Sequence, residues 1–495
     1  MVKLGLKRII IVILILMKSY PLTRQIGLLL GPSAFVALQF LGIELISQAA
    51  DTVIAIAVWM LIWWITEAVS ISVTALLPLV LFPLFNIMPM ADVGANYGSP
   101  IVFLFFGGFV LALALEKVNL HKRIALTIIS WTGNSPNRVI LGFMLSTALM
   151  SMWISNTAST VVMLPIALSV IQLLVNDDDG FTKADKNFAL SLMLGIAFSA
   201  NAGGIATVIG TPPNSVLIGL LENEYQIEIS FLRWMIFGVP FSSLLLLIVY
   251  WVLVKWLFPN TGITFSASTE VIRGELKKLG RITKKEKHVL AVFAVVVGLW
   301  IFRSLINVLV PGLGLSDAII SVFGALILFA VPHQLKTGDF ILTWKDTQAL
   351  AWGILVLFGG GLALAKAMSA TGIVDLVATF IAEGQMSVLL TASLLIILML
   401  FMTELMSNVA LTAVLAPVVA GIAIGLNLPM IYLLIPITVA SSCAFMLPMA
   451  TPPNAIVFAS GLVEVKHMAK AGIILNLISI GLLILAFQFF IPLVF

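Results

Sequence analysis

The stretch WISNTASTVVMLPIA, residues 153–167, places five hydrogen-bonding side chains within a strongly apolar part of the chain. These side chains are Ser155, Asn156, Thr157, Ser159 and Thr160. Lipid offers no hydrogen bonds, so unwound backbone inside a bilayer must be buried in protein or line a wet cavity. The surrounding apolar run, 139–175, is long enough to enter a bilayer, turn and leave. We therefore predict a re-entrant helical hairpin with its tip at 155–157.

The composition of the whole chain is that of a membrane protein. Of its 495 residues, 61% are hydrophobic and only 10% are charged, whereas a soluble protein is nearer half apolar and a quarter charged. About ten to twelve apolar segments approach the roughly 20 residues that cross a bilayer as a helix. The sequence therefore predicts an all-α polytopic membrane protein, multi-pass in the plasma (inner) membrane.

The positive charge of the chain lies in its loops and predicts its orientation. The segment 259–288 is the most basic of these loops, and by the positive-inside rule it is expected to be a cytoplasmic linker. Its basic residues are Arg273, Lys277, Lys278, Arg281, Lys284, Lys285 and Lys287. The net charge of +4 is explained by this topology, so we expect the lipid bilayer, and no nucleic acid, as a partner.

The chain repeats itself. Ser155 and Asn156 recur 252 positions later as Ser407 and Asn408, and the motif Thr-Pro-Pro-Asn occurs at both 211–214 and 451–454. Two copies with breaks inside apolar segments are typical of secondary transporters. An odd number of crossings between the copies would make the repeat inverted, which our segment count favours. The predicted division is N-terminal helices at 1–50, a first repeat at 51–258, the linker, and a second repeat at 289–495.

Each repeat is expected to hold one hairpin tip and one broken helix. The second tip is predicted at 407–409, and the broken helices at 211–214 and 451–454. Pro suits the first turn of a helix, where its missing N–H costs nothing, and Thr is a good N-cap. Helix N-termini bind anions, and unwound carbonyls can hold Na⁺. Two equivalent anion sites predict a dicarboxylate substrate.

With these motifs in place, the chain resembles the divalent anion:Na⁺ symporter (DASS) family, over nearly its whole length. The family's marks are Ser-Asn-Thr hairpin tips, Thr-Pro-Pro segments and an inverted repeat. The resemblance implies a homodimer whose protomers each have a scaffold domain and a transport domain that moves like an elevator. It also implies that the tips and Thr-Pro segments bind the substrate. The residues are Ser155, Asn156, Thr157, Ser407, Asn408, Val409, Thr211, Pro212, Thr451 and Pro452.

In the family's symporters two Na⁺ sites would match residues of this chain, and no other cofactor is expected. The first set is Ser151, Ser155, Asn156 and Gly210. The second set is Thr403, Met406, Asn408 and Ala450.

The family contains Na⁺ symporters and exchangers that swap one dicarboxylate for another. The general sequence similarity of this chain, above all in 63–83, favours the exchanger branch. We therefore expect exchange of C4/C5 dicarboxylates such as succinate, malate, fumarate and 2-oxoglutarate. The alternatives are a Na⁺-coupled symporter and a sulfate or citrate carrier of the same family. Val409 stands where the family pattern has Thr, which removes one hydroxyl and disfavours citrate.

Three charged residues near apolar segments have more than one interpretation. Lys366 would either replace Na⁺ as a tethered cation or extend to the membrane interface. Glu404 follows Thr403 and is a coupling candidate, while Glu67 is expected to cap a helix or form a salt bridge. An enzyme is not expected, since no G-x-S-x-G or H-E-x-x-H motif occurs. A channel would need a continuous polar pore, and the duplicated breaks fit a transporter better.

Overall fold

The computed structural model describes residues 21–41, 46–133, 135–175, 182–260, 268–310, 312–334, 339–384 and 387–495. The predicted N-terminal helices at 1–50 lie partly outside these residues. The described part of the chain is almost wholly helical, with one two-stranded antiparallel ribbon, β1 (Pro332–Gln334) and β2 (Asp339–Phe340), followed by the 3₁₀ helix Trp344–Ala349.

The helices of the first half, up to the linker, are α1 (Leu22–Leu41), α2 (Gln48–Thr66), α3 (Ile71–Thr74), α4 (Leu77–Leu84), α5 (Met90–Tyr97), α6 (Pro100–Lys117), α7 (Leu120–Thr132), α8 (Pro136–Ser151), α9 (Asn156–Val175), α10 (Lys183–Gly204), α11 (Pro212–Tyr225) and α12 (Phe231–Trp251, continued by the π-helix Val252–Leu257). Those of the linker and the second half are α13 (Ser268–Lys278), α14 (Lys284–Leu309), α15 (Asp317–Ala330), α16 (Trp352–Ala370), α17 (Ile373–Glu383), α18 (Val388–Thr403), α19 (Asn408–Gly425), α20 (Met430–Ser442), α21 (Pro452–Ala459), α22 (Val465–Leu485, continued by the π-helix Ala486–Phe490) and α23 (Ile491–Val494).

Among the described residues, seven helical segments are long and apolar enough to cross a membrane, and five shorter apolar helices accompany them. Several of the shorter ones are arms of hairpins or halves of broken helices, which need not cross a bilayer alone. The multi-pass all-α class expected from composition is confirmed.

At both predicted tips the chain turns between two helices, with the turns at 152–155 and 404–407 and therefore slightly before the predicted 155–157 and 407–409. In the first, α8 and α9 are joined by 152–155, and the Ser155 hydroxyl accepts the backbone N–H of Ala158 at 3.2 Å. In the second, the Ser407 hydroxyl caps α19 in the same way. The capping serine thus ends each turn, and Asn156 and Asn408 already belong to the first turn of the returning helix.

Both broken helices also form. In the first repeat, α10 ends at Gly204 and α11 begins at Pro212; in the second, α20 ends at Ser442 and α21 begins at Pro452. The prolines occupy the first helical position, where no intrahelical N–H bond is lost.

The two repeats interlock around a common axis. Helix α9 of the first repeat packs against α21 of the second, and α19 of the second packs against α11 of the first. Each returning hairpin arm therefore contacts the broken helix of the other repeat. This reciprocity is what a two-fold relation between the repeats produces.

The repeats are inverted, as expected. Helices α12 and α22 follow the broken helix in their respective repeats, and they run antiparallel. Arg233, near the start of α12, donates to the carbonyl groups of Val494 and Phe495 at 3.2 and 2.7 Å. At the other end, the rings of Phe258 and His467 are 6.2 Å apart.

The hairpins consequently open on opposite sides. Asn187 at the start of α10 donates to the Pro259 carbonyl at the start of the linker, at 2.8 Å. The first hairpin thus opens on the side of the basic linker, which the positive-inside rule assigns to the cytoplasm. The second hairpin opens on the other side.

The apolar core is divided between these elements. A larger cluster joins the hairpins and broken helices to α6, α14 and α15. A smaller cluster, which includes Ile56, Phe82 and Leu364, joins α2, α4 and α5 to α16 and also reaches α17 and α19.

Candidate functional site

The predicted substrate residues fall into an open group and a buried group. All six tip residues and both first prolines of the Thr-Pro segments are at least partly accessible, whereas Thr211 and Thr451 are buried. The accessible members are Ser155, Asn156, Thr157, Ser407, Asn408, Val409, Pro212 and Pro452. The reciprocal packing of α9 with α21 and of α19 with α11 brings each tip helix onto the opposite Thr-Pro helix.

Beneath the first tip, four oxygen atoms converge. The Ser151 hydroxyl lies 2.5 Å from Asn156 Oδ1 and 2.7 Å from the Ala200 carbonyl oxygen. The same terminal amide atom of Asn156 lies 3.2 Å from the Ala200 carbonyl and 3.3 Å from the Gly210 carbonyl. With the Asn156 amide turned, Nδ2 at this position would donate to all three neighbouring oxygens. With Oδ1 here, only the Ser151 hydroxyl can donate to it, and a cation would satisfy the remaining oxygens.

A matching cluster lies beneath the second tip. The Thr403 hydroxyl lies 2.7 Å from Asn408 Oδ1 and 2.8 Å from the Ser441 carbonyl oxygen. Met406 and Ala450, the other members of this predicted set, are both buried. In both repeats, then, a hydroxyl at the end of one hairpin arm contacts the asparagine that begins the other arm.

Glycines make the first cluster tighter than the second. A Cβ atom on Gly204 would lie 2.7 Å from Asn156 Oδ1, and one on Gly210 would lie 2.5 Å from the Gly204 carbonyl oxygen. The equivalent positions of the second repeat, 240 residues later, are Ala444 and Ala450. The first cluster therefore has no room for a side chain at Gly204 or Gly210, whereas the second accommodates alanine at both positions.

Two asparagines that we did not assign to the site hold the unwound segments. Asn214 Nδ2 donates to the carbonyl groups of residues 204, 205 and 207 at 3.3, 3.4 and 2.9 Å. Asn454 Nδ2 donates to those of residues 444 and 447 at 3.2 and 3.1 Å. The signal that could have revealed them was present, since both are the fourth residue of the repeated Thr-Pro-Pro-Asn motif.

The Thr-Pro segments differ between the repeats. Thr451 caps α21, accepting the N–H of Asn454 at 3.4 Å, and also accepts a hydrogen bond from Asn201 Nδ2 at 3.1 Å. Thr211 makes no such side-chain cap, contrary to our expectation; its backbone carbonyl accepts the N–H of Asn214 instead. The bond from Asn201 links the two repeats inside the protein.

The charged candidates lie in three different settings. Lys366 is half-buried on α16 and interacts electrostatically with Glu224, at the end of α11 opposite to Thr211. Glu67 caps α2 in the left-handed conformation (φ 47°) and pairs with Arg24 at 2.6 Å. Glu404 is buried beside the second oxygen cluster.

The chemistry of the site is binding rather than bond-making. Its ligating atoms are neutral hydroxyl, amide and carbonyl oxygens, which suit a hard monovalent cation; Ca²⁺ and Mg²⁺ sites draw on carboxylates. Within the described ranges, no group of three His, Cys, Asp or Glu side chains could hold a metal ion. Four helix N-termini, those of α9, α11, α19 and α21, add the partial positive charge that favours anions.

Comparisons with known proteins agree with this picture. The family model described as "Sodium:sulfate symporter transmembrane region" matches residues 31–495. The "Sodium-dependent dicarboxylate transporter SdcS" of Staphylococcus saprophyticus subsp. saprophyticus is 39% identical over 483 residues, covering 96% of this chain and 93% of the relative. The protein of the same name from Staphylococcus aureus (strain USA300) is 37% identical over 488 residues, with the same coverage.

Two solved structures share the fold at low sequence identity. The Neisseria gonorrhoeae MtrF structure aligns with a TM-score of 0.52 at 15% identity, over 92% of this chain and 96% of the other. The Alcanivorax borkumensis YdaH transporter aligns with a TM-score of 0.50 at 13% identity, over 81% and 86%. With the family model and the relatives, this makes the chain a membrane transporter rather than an enzyme. It belongs to the sodium:sulfate symporter family, the divalent anion:Na⁺ symporter family that its motifs resemble.

Proposed function

We propose that this protein carries C4/C5 dicarboxylates, such as succinate, malate, fumarate and 2-oxoglutarate, across the plasma membrane together with Na⁺. The observation that carries the proposal is the pair of oxygen clusters, Ser151 with Asn156 and Thr403 with Asn408. The names of the two Staphylococcus relatives, both sodium-dependent dicarboxylate transporters, point in the same direction.

The dicarboxylate would lie between the two tips. It carries one anionic group at each end, and the inverted repeats present two related sets of hydroxyls and helix N-termini. Ser155 and Thr157 would face one carboxylate, and Ser407 the other. Val409 contributes no hydrogen bond, which makes the second set less suited to the extra polar groups of citrate.

Na⁺ would make this site electrically favourable for a divalent anion. No Arg or Lys lies in the tip or Thr-Pro motifs, so helix dipoles and bound cations are what can offset the substrate charge. Each Na⁺ would lie below a tip, where Asn156 or Asn408 connects the cation cluster to the substrate side. Because each of these asparagines would contact both Na⁺ and the substrate, it would couple the binding of one to the binding of the other.

Exchange of one dicarboxylate for another, favoured by the look of 63–83, is the second candidate. In that case the oxygen clusters would serve as structure, with the Asn156 amide turned so that Nδ2 donates to the carbonyl groups around it. A sulfate or citrate carrier of the same family is a third candidate, which competition against succinate would distinguish.

We also propose that the carrier is a homodimer that works by an elevator motion. The hairpins and broken helices interlock through α9, α11, α19 and α21, as a unit that moves as one body would. Helices α2, α4 and α5, which share the smaller apolar cluster with α16 and with Ala410 and Val414 of α19, would belong to the scaffold, so this cluster would include the surface along which the two domains slide. Crosslinking of single-cysteine variants, after replacement of the buried Cys443, would test both proposals.

The transport proposal is tested by uptake of radiolabelled succinate into proteoliposomes. Internal unlabelled succinate and external Na⁺ against choline are varied independently. Uptake into empty vesicles driven by a Na⁺ gradient supports symport. Uptake that requires internal dicarboxylate and ignores Na⁺ supports exchange, and no succinate uptake in either case refutes both.

Three variants connect this activity to the site. Asn156→Ala and Asn408→Ala are expected to abolish uptake while the protein still elutes as a folded species from size-exclusion chromatography. Ser169→Ala is the matched control, since the Ser169 hydroxyl lies on the same hairpin but only bonds the Pro165 carbonyl of its own helix. Wild-type uptake by both asparagine variants would refute the proposed binding site.

A further inference from the structure

Glu404 is a buried carboxylate with an unusual set of partners. Its oxygens accept the backbone N–H groups of three consecutive residues, Phe445 at 2.8 Å, Met446 at 3.0 Å and Leu447 at 3.2 Å. Asn476 Nδ2, from α22, donates to it at 2.7 Å. The side chain thus holds the unwound segment between α20 and α21 from one side.

Two asparagines hold the same segment from the opposite side. In a trans peptide the N–H and C=O groups point in opposite directions. The peptide group between Ala444 and Phe445 donates its N–H to Glu404. Its carbonyl oxygen, on Ala444, accepts hydrogen bonds from Asn201 and Asn454 at 3.1 and 3.2 Å. The orientation of this peptide is therefore fixed on both faces.

The first repeat has no such carboxylate. The position 252 residues earlier is Met152, whose backbone carbonyl accepts a hydrogen bond from Thr207 at 2.6 Å. There the N–H groups of Ile205 and Ala206 bond the carbonyls of residues 202 and 203 at 3.3 and 3.0 Å. A broken helix can thus form without a carboxylate, and Glu404 adds something beyond the fold.

What Glu404 adds is a buried carboxyl group bonded to several amides, with no cationic side chain paired to it in the described part of the chain. Every hydrogen-bond donor to it in the described part of the chain is a neutral amide. Other buried acids of this protein are paired differently: Glu286 contacts Arg123 at 2.5 Å, and Asp317 contacts Arg303 at 3.2 Å. A buried charge is costly unless it is paired or faces a cation.

The cation cluster of the second repeat begins at the preceding residue. Thr403, Asn408 and the Ser441 carbonyl meet there, so Glu404 directly follows a residue of this cluster in the chain. The first cluster, with Met152 in the corresponding position, has no such carboxyl group.

We propose that Glu404 makes the two cation sites unequal, giving the second cluster the higher Na⁺ affinity so that it fills first. Glu404 acts by fixing the unwound segment between α20 and α21, on which Ala450 of the second cation set also lies; it is a positioning residue and not a ligand. This proposal rests on the proposed coupling to Na⁺. Loss of one hydrogen bond between a carboxyl group and a backbone amide that holds a binding segment changes an equilibrium constant by about tenfold or more.

The test measures Na⁺ binding without transport. The melting temperature of the purified full-length protein in detergent is followed against Na⁺ concentration, at constant ionic strength with choline, alongside ²²Na⁺ binding by scintillation proximity. Glu404→Gln keeps the size of the side chain and removes its charge, and it should shift the tighter Na⁺ component about tenfold or more. Met152→Gln, at the matching position of the first repeat, should leave that component in place.

A second pair of variants tests the proposal without altering Glu404. Ser151→Ala weakens the first cluster and leaves the second, whereas Thr403→Ala does the reverse. We expect the Na⁺ affinity that remains in Ser151→Ala to be about tenfold tighter than in Thr403→Ala. Equal affinities or the reverse order would overturn the proposal, as would an unchanged titration in Glu404→Gln.

The response of the wild-type protein to Na⁺ distinguishes a failure of the proposed Na⁺ coupling from a failure of the role assigned to Glu404. If its melting temperature and ²²Na⁺ binding do not respond to Na⁺, the proposed coupling itself has failed. If the wild type responds but the variants do not differ from it as described, only the assignment of Glu404 has failed.

Discussion

Replacing Gly204 by alanine should damage the proposed first cation site selectively. The added Cβ would lie 2.7 Å from Asn156 Oδ1 and 3.1 Å from the Gly210 carbonyl oxygen, both of which belong to the first oxygen cluster. The amide must retreat by about 0.7 Å to reach ordinary van der Waals distance, and a rigid backbone carbonyl limits where it can go.

The magnitude follows from the cost of overpacking. Extra methyl groups in a well-packed site cost about 1–3 kcal/mol, and each 1.4 kcal/mol corresponds to about a tenfold change in an equilibrium constant. If the strain is relieved by moving Asn156, the apparent Na⁺ affinity should fall between about fivefold and a hundredfold. The maximal rate of uptake at saturating Na⁺ should change less.

The assay is the Na⁺ concentration that gives half-maximal succinate uptake into proteoliposomes. Gly298→Ala is the control, because no atom lies within 4 Å of a Cβ at that position of α14. Ala444→Gly makes the opposite exchange at the matching position of the second repeat and should not reproduce the loss. A Gly204→Ala protein with wild-type Na⁺ dependence and wild-type melting temperature would refute this account of the first site.

Three further predictions concern other parts of the molecule. Arg303→Met leaves two carboxylates without the guanidinium that pairs with them, those of Asp317 (side chain 12% exposed) and Glu228 (61% exposed). Because only the Asp317 pair is largely buried, the loss should lie below the roughly 3–5 kcal/mol of a fully buried pair, and the melting temperature in detergent should fall by a few degrees. On the linker, hydrogen bonds from Lys278 and Lys122 hold the pKa of Glu275 below its usual value of 4.5. That contribution to stability is present above about pH 4.5 and is lost as the pH falls through the lowered pKa, so the melting temperatures of wild type and Glu275→Gln should converge in acid. Asn214→Leu removes the donor to the carbonyls of three residues, at roughly 1–3 kcal/mol per buried group left unpaired, and should abolish the stabilisation by Na⁺ without preventing membrane insertion; an unchanged Na⁺ titration would contradict it.

The sequence predicted the elements of this fold because membrane helices are defined by local composition. Apolar length predicts helices, and a capping serine or a Thr-Pro pair predicts where a helix begins, whatever its neighbours. The repetition of these signals at Ser155 and Ser407 and at Thr211 and Thr451 identified the duplicated architecture. The family resemblance followed from the same motifs, since two motifs each occur twice and in the same order.

The sequence did not reveal the other half of each oxygen cluster. The Ala200 and Ser441 oxygens are backbone carbonyls, and a carbonyl has the same chemistry in every residue, so no side chain marks it. Glu404 was a candidate by its position next to Thr403, but its role depends on which groups surround it. Only the folded chain shows that these are the N–H groups of a segment some forty residues away.

The inverted arrangement was likewise favoured by the sequence and decided by the structure. Whether the repeat is inverted depends on whether the number of crossings between the copies is odd or even. Hairpins and broken helices do not each count as one crossing, so the number cannot be read from apolar segments alone. The antiparallel contact of α12 with α22 supplies the answer directly. The sequence by itself therefore determined the breaks and their duplication, because these are local. The tertiary structure decided which oxygens and charges meet, because contacts between distant segments depend on how the helices pack.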